Sequence, residues 1–426
     1  MKSFKYYYLV IFNLTFASAY GQNKCMTMAD VDSAVVRHNL QLRTSHLNID
    51  AAEGQLAQAR KYENPEVQLM HNIQNPVNKR WFDTGYEGQT YIQVSQPIAI
   101  GGQHRSRVKQ AKAALDACMA EYESEKLDVK SNVHNIFIDL YYTQQKLKVY
   151  DKEIASLEKI YHAYEQQSEK GNVSKMQLFR ISAMISELCA EQASLMMTRA
   201  DLQKELNLHI NMSEDSQIVV EMDEEDMLRY VTNTLAKLTP FVTHQDKNSL
   251  SALLKQHPVM AQMAYQQKKS HEAVKIEKAE ALPHITLNGE WDKNGSIGHN
   301  FFAVGATVSI PLWNRNRGNI RTAKAQYAQS VLEREAKEKE LMETVMMHYN
   351  TTKVMLKLVE DLQDKLSTDL DQLLTAAEDQ FMKQHISVIE FVDLYGSFRE
   401  TLFQLADSKA QLMKSNEELN KYIIGL

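Results

Sequence analysis

Glu390 and Asp393 are the residues whose types and spacing most invite a chemical reading. Three apart just after a break in the helical pattern, they share a helix face, so two carboxylates gather on one side. That arrangement suits electrostatic attraction of a cation; it equally suits a solvated helix face. At the matching place earlier in the chain stand Gln177 and Arg180. Arg180 has the charge to pair with Asp393. Other chemistry is sparse. There is no GxxxxGK[ST] phosphate cradle, no HExxH zinc helix and no GxSxG elbow. None of the 14 histidines falls three or four residues from another, the spacing that puts two ligands on one helix face. Met260 and Met263 share a face, and Met196-Met197 and Met346-Met347 are adjacent. Methionine is a soft copper(I) ligand, but at helix seams it is more often an adaptable packing residue. We therefore expect no enzyme, no cofactor and no metal centre.

The element that must position these residues is a long helix. From Gln103 to Glu169 there is neither proline nor glycine. Val133, Leu140, Leu147, Ile154 and Tyr161 recur at sevens, beside Ile136, Thr143, Tyr150, Leu157 and Tyr164. A repeat of about 3.5 residues is a coiled-coil seam that needs a partner helix. At about 1.5 Å per residue the rod reaches roughly 100 Å. Gly171-Asn172 breaks it, and Ser174 is a suitable N-cap for a returning helix with Ile181, Leu188, Leu195 and Leu202 at sevens.

The 426 residues carry a net charge of −6, which argues against a nucleic-acid partner. Lys2 and Lys5, the apolar run from Tyr6 to Ala17, and Ala19-Tyr20-Gly21 read as a secretory signal over residues 1–21, with the mature chain starting at Gln22. Gln22-Asn23-Lys24 before Cys25 argues against lipidation. With a turn at Gly171, Cys189 would face residues near 153, far from Cys118, so no disulfide between those two is expected.

Before the rod, residues 30–60 read as helix. After Pro65, the stretch 66–75 alternates, with Val67, Leu69, His71 and Ile73 on one side. Beyond a loop with Gly85 and Gly88, Thr90, Ile92 and Val94 alternate with Tyr91, Gln93 and Ser95 up to Pro97. Both read as two-faced strands of about ten residues. The order then repeats. A helix over 250–281 precedes Pro283. Ile285, Leu287, Gly289 and Trp291 alternate with His284, Thr286, Asn288 and Glu290. Phe302, Val304, Ala306, Val308 and Ile310 follow, up to Pro311. A second proline-free run over 319–383 breaks near Gln384-His385 before a last helix. One offset, within a residue, carries Pro97 onto Pro311 and Gly171 onto Gln384. The expected division is a first repeat over 22–210, an acidic connection over 211–249 with Pro240 and a short helix over 225–238, and a second repeat over 250–426.

Strands of about ten residues suit a bilayer when tilted, and open sheet edges are not tolerated in lipid. Four strands cannot close alone. Two copies would give an eight-stranded barrel filled by side chains; three would give twelve strands and a lumen. The expectation is a mainly α chain with a membrane β-barrel: a homotrimer whose 12-stranded barrel in outer-membrane lipid continues into a tube of coiled-coil helices. A soluble coiled-coil bundle would leave the signal segment and the proline-bounded strands unexplained.

This double helix–strand–strand–helix plan resembles the TolC-like outer-membrane efflux family. The junctions Ser95-Gln96-Pro97-Ile98-Ala99-Ile100-Gly101-Gly102-Gln103-His104-Arg105 and Ile310-Pro311-Leu312-Trp313-Asn314-Arg315-Asn316-Arg317-Gly318 are similar to its cation-efflux (CzcC/CusC-like) branch. The resemblance implies a trimeric duct exporting metal cations or small toxic compounds, docked to a periplasmic membrane-fusion adaptor and an inner-membrane pump of the resistance-nodulation-division (RND) type. It also implies that Glu390 and Asp393, with Gln177 and Arg180 as first-repeat equivalents, line a constriction at the periplasmic mouth. The alternatives are a duct for multidrug efflux or type I protein secretion, and a periplasmic coiled-coil adaptor.

Overall fold

The computed structural model of the chain describes residues 24–212, 218–243, 247–295, 297–365, 370–383 and 385–423. The expected leader over 1–21 and the break residue Gln384 lie outside them.

A short strand β1 (Lys24–Met26) leads into α1 (Met28–His38) and α2 (Leu40–Ala59). The single helix expected over 30–60 is thus split at Asn39. Its backbone is extended, and its side chain accepts from the Leu42 N–H at 3.0 Å, which caps α2. Strands β2 (Glu66–His71) and β3 (Thr90–Ile98) follow. β2 is shorter than expected, because the chain turns away after His71 and makes only one bridge, Gln74 to Trp81. The rod α3 (Gln103–Glu169) is one unbroken helix of 67 residues. Its entry needs glycine: Gly101 and Gly102 have φ of 74° and 78°, and a Cβ on Gly101 would meet the Leu282 side chain at 2.3 Å. α4 (Lys175–Ile210) returns along α3. Tyr150 donates to Glu191, and Gln192 donates to Asp151, which is the register expected from a turn at Gly171.

The connection holds β4 (Ile218–Val220), paired in parallel with β1, and α5 (Glu224–Thr243). α5 runs past Pro240, further than the helix expected over 225–238. The helix expected over 250–281 is two helices, α6 (Lys247–Leu254) and α7 (Pro258–Ala279). Pro258 is the reason. It holds His257 in extended backbone and starts α7 at its first position, where a missing N–H does no harm. β5 (His284–Gly295) and β6 (Gly298–Ser309) form a hairpin, and α8 (Arg317–Lys365), α9 (Leu370–Met382) and α10 (Val388–Lys421) complete the chain.

The four long strands make one antiparallel sheet in the order β2-β3-β5-β6. Register sorts its faces as the alternation predicts. One row across it is Leu69, Ile92, Trp291 and Phe302; the next on that face is Val67, Val94, Gly289 and Val304. The opposite face carries the rows Gln68, Gln93, Glu290 and Ala303, and Met70, Tyr91, Asp292 and Phe301. The apolar face is bare: Phe302 is 75% exposed and Val304 92%. Among the described residues, β2 and β6 have no partner on their outer edges.

Buried side chains collect in two main bodies. A belt at mid-height packs Met26, Val35, Phe137, Leu206, Val220 and Leu412. Near the far ends of the hairpins, Tyr164, Phe381, Phe391 and Tyr395 stack, with ring centroids 4.4 to 4.9 Å apart. Ten methionines of the described residues border or lie inside the belt, Met260 at 2% exposure and Met346 among them, where they act as packing; Met196, Met197 and Met347 are exposed.

α3 and α10 meet along a seam of a different kind. Lys421 pairs with Asp128, Lys414 with Asp139 at 2.8 Å, and Lys146 with Asp407 at 2.6 Å. Near the top of the seam, His134 lies between Asp32 of α1 at 2.9 Å and Glu417 of α10 at 2.6 Å. Burial works against a charge on His134, but the two carboxylates outweigh it and raise its pKa to about 9. The folded chain therefore holds a proton that the unfolded chain releases near pH 6.5. The stabilisation is complete below that pH and is lost as pH rises through about 9. Circular-dichroism melts in detergent should show the midpoint falling between pH 7 and 9.5. In His134→Gln that slope should flatten and the neutral-pH midpoint should fall, because removing the imidazolium leaves two largely buried carboxylates without their partner, a loss of roughly 3 kcal/mol.

Candidate functional site

The two hairpin ends are built alike. α3 stops at Lys170, and Gly171 turns the chain in the left-handed region, with φ of 82°. Ser174 then caps α4: its hydroxyl accepts from the Met176 N–H, and Gln177 reaches back so that its Oε1 accepts from the Ser174 N–H at 3.2 Å. In the second hairpin, Ser387 caps α10 in the same way. Its hydroxyl accepts from the Glu390 N–H at 3.2 Å, and the Glu390 carboxylate accepts from the Ser387 N–H at 2.8 Å. These are two capping boxes of the S-x-x-Q and S-x-x-E kind. The bonds from Ser387 hold the Glu390 carboxyl below its ordinary range.

The four residues singled out from the sequence thus divide into two pairs. Gln177 and Glu390 turn back onto their own helix starts. Arg180 and Asp393, one turn on, are exposed and make no hydrogen bond or ion pair among the described residues. Asp393 lines a groove of about 540 Å³ between α4 and α10, with Met184, Glu187, Val392 and Arg399. The capping role was legible in the Ser-x-x-Gln and Ser-x-x-Glu spacing, but reading the carboxylates as a pair obscured it.

Above the ends, a polar cluster joins the hairpins. Arg399 of α10 lies 3.4 Å from Glu153 of α3 and 3.4 Å from Glu191 of α4, and 5.7 Å from the Tyr150 ring centroid. Glu153 is 3% exposed, and its Oε1 has no hydrogen-bond partner. Burial raises its pKa to about 7 despite Arg399. Ser156 and Tyr395 both donate to Glu378. Sequence reasoning missed this cluster, because nothing local to Glu153 says which residue of a helix some 240 positions on will face it. On the sheet, the polar face presents Tyr91, whose hydroxyl lies 2.8 Å from the Glu290 carboxylate and 2.9 Å from Gln93. Cys25, Cys118 and Cys189 are free thiols. Nothing in this set assembles a nucleophile with its base; what it offers is charged and amide groups spaced along surfaces.

A profile of the outer membrane efflux protein family matches residues 33–208 and 249–423. The cobalt-zinc-cadmium resistance protein CzcC of Cupriavidus metallidurans is 20% identical over 385 residues, spanning 89% of this chain and 84% of CzcC. Among solved structures, CusC superposes with a TM-score of 0.74 at 16% identity, covering 93% of this chain and 91% of CusC. The Campylobacter jejuni CmeC outer membrane channel superposes with a TM-score of 0.73 at 13% identity, covering 93% and 85%. At such identities the structural likeness carries the fold.

The caps give a direct test. Glu390→Ala removes the acceptor for the Ser387 N–H, whereas Glu390→Gln keeps one, as Gln177 does. Amide exchange at Ser387 and in the first turn of α10 should speed up severalfold in the alanine variant and stay near wild type in the glutamine variant. Equal exchange in both would mean the box does not hold that turn.

Proposed function

The chain belongs to the outer membrane efflux protein family, and on that premise we propose that it is the outer-membrane exit duct of a tripartite efflux system. The observation that carries the reading is the sheet. One face is apolar and uncovered, the other is polar, and both edge strands lack partners among the described residues. In lipid such edges must pair, and three copies joining β6 to the next β2 would close twelve strands around a lumen. The apolar rows then meet lipid, while Glu290, Asp292, Gln93 and Tyr91 face water. The helices would continue the path into the periplasm, with residues 22–210 and 250–426 acting as two repeats across the connection at 211–249.

A periplasmic membrane-fusion adaptor and an inner-membrane pump of the RND type would supply docking and energy. Metal cations are the favoured cargo, supported by the likeness to CzcC, which is named for cobalt, zinc and cadmium resistance. Small toxic compounds fit the same path. A duct for multidrug efflux or type I protein secretion is the second reading, since a wide path of the same fold would serve it equally. At the periplasmic mouth we assign the constriction to Asp393 and Arg180, with Glu390 and Gln177 fixing the helix starts beside them. Three copies of Asp393 around one axis form a ring suited to cations.

Loss of the gene should sensitise cells to cobalt, zinc or cadmium more than to hydrophobic drugs; the reverse order would favour the second reading. The purified chain should run as a heat-modifiable trimer from the outer-membrane fraction and conduct in planar bilayers. Val304→Lys places a charge in the middle of the apolar face and should cut outer-membrane insertion sharply, by roughly 2–4 kcal/mol per site at mid-depth. Ala303→Lys, on the polar face beside it, should insert normally. Asp393→Asn should weaken block by multivalent cations, and Arg180→Ala should raise single-channel conductance; unchanged block and conductance would remove the assigned constriction.

A further inference from the structure

The loop over residues 72–89 is not a loose tether between β2 and β3. Its centre is Asp83, 5% exposed, whose carboxylate accepts from Asn78 Nδ2 at 2.6 Å, from the Gly85 N–H at 2.9 Å and from Asn75 Nδ2 at 2.9 Å. Those three bonds hold the carboxyl down to about 2, so it stays charged at any physiological pH. Gly88 closes the turn: a Cβ there would fall 1.6 Å from the Asp83 carbonyl oxygen.

The loop also leaves its own hairpin. It passes β3 and is fastened to the end of the β5–β6 hairpin. Lys293 donates to the carbonyls of Thr84 at 2.6 Å and Gly85 at 2.8 Å. Asn294 donates to the Glu87 carbonyl at 3.0 Å, Gln89 donates to Asp292 at 3.4 Å, and the Tyr86 ring lies 3.9 Å from the ring of His299. Asn294 and His299 are cross-strand partners, and Asp292 stands two residues along on the same side. That side is the polar face. Three of the attachments therefore draw the loop over the surface that faces water in a closed barrel, at the end of the sheet opposite the helices.

We propose that residues 75–88 form a fixed rim that sets the size limit at the outer mouth of the duct, an inference that rests on the duct reading above. A loop whose polar atoms are satisfied internally and on a neighbouring hairpin moves as one body with the barrel wall. Three such loops, each carried inward, narrow the exit. Hydrated ions and small solutes pass; large polymers do not.

Polymer exclusion in planar bilayers tests this. Conductance is recorded in a size series of polyethylene glycols for the wild-type chain, for Lys293→Ala with Asn294→Ala, for Gly88→Ala, and for a chain whose residues 77–86 are replaced by a short Gly-Ser linker. With polymer added only on the side of the outer mouth, freeing or removing the rim should let larger polymer enter and shift the exclusion limit upward, while conductance without polymer stays set by the periplasmic constriction. If the point variants do not assemble, the linker chain, which leaves all four strands intact, decides. A conducting linker chain with the wild-type exclusion limit overturns the proposal and leaves the duct standing. A wild-type chain that forms no channel overturns the duct reading and the proposal with it.

Discussion

Every peptide group in a sheet must find a hydrogen-bond partner, and the two outer edges of this sheet find none among the described residues. That single deficit orders the rest. In water an open edge can be solvated; against hydrocarbon each unpaired group costs several kcal/mol. An uncovered apolar face such as the one bearing Val304 and Phe302 is equally unfavourable in water. On the proposed reading both are met at once, by closure of the sheet with further copies within a bilayer. The helices then have no choice of place: they leave the sheet at Gly102 and after Pro311 on the same end and continue as a bundle.

Within that bundle, two kinds of contact are used for two purposes. The hairpin ends are held by stacked rings and aliphatic side chains, a close-packed contact that tolerates little displacement. The seam of α3 against α10 is instead a row of charged pairs, from Asp128 and Lys421 down to Glu153 and Arg399. Partly exposed ion pairs contribute little net stability each, while like charges in the wrong register would repel. Such a row sets alignment more than it sets strength. Two groups depart from this: His134, whose two carboxylates hold a charge that burial alone would not favour, and Glu153, whose burial raises its pKa to about 7 despite Arg399.

Much of this was legible because it rests on local pattern. Strand faces followed from strict alternation, and Leu69, Ile92, Trp291 and Phe302 fell in one row without any knowledge of pairing order. The long helix followed from the absence of proline and glycine, and its turn from Gly171. The misreadings were also local. His257-Pro258 carries a clear helix start that periodicity on either side concealed, and Asn39 acts as a cap inside an apparently continuous helix. Ser387-x-x-Glu390 was read for its charge before its capping geometry. What no local pattern could supply was the partnership of distant residues. Arg399 with Glu153, Lys293 with the carbonyls at 84 and 85, and β1 with β4 depend on how the helices and strands are laid side by side.

The parallel ladder of β1 and β4 has a consequence for the order in which the chain assembles. The mid-height belt takes Met26 from the start of the described chain, Val220 from its middle and Leu412 from near its end. The hairpin of α3 and α4, by contrast, draws on neighbours in sequence. Loop closure over long spans is slow, and contacts between near neighbours form first. The coils can therefore zip early, while the belt stays unfinished until residues from all three regions have come together, leaving its methionine-rich interior uncovered longest.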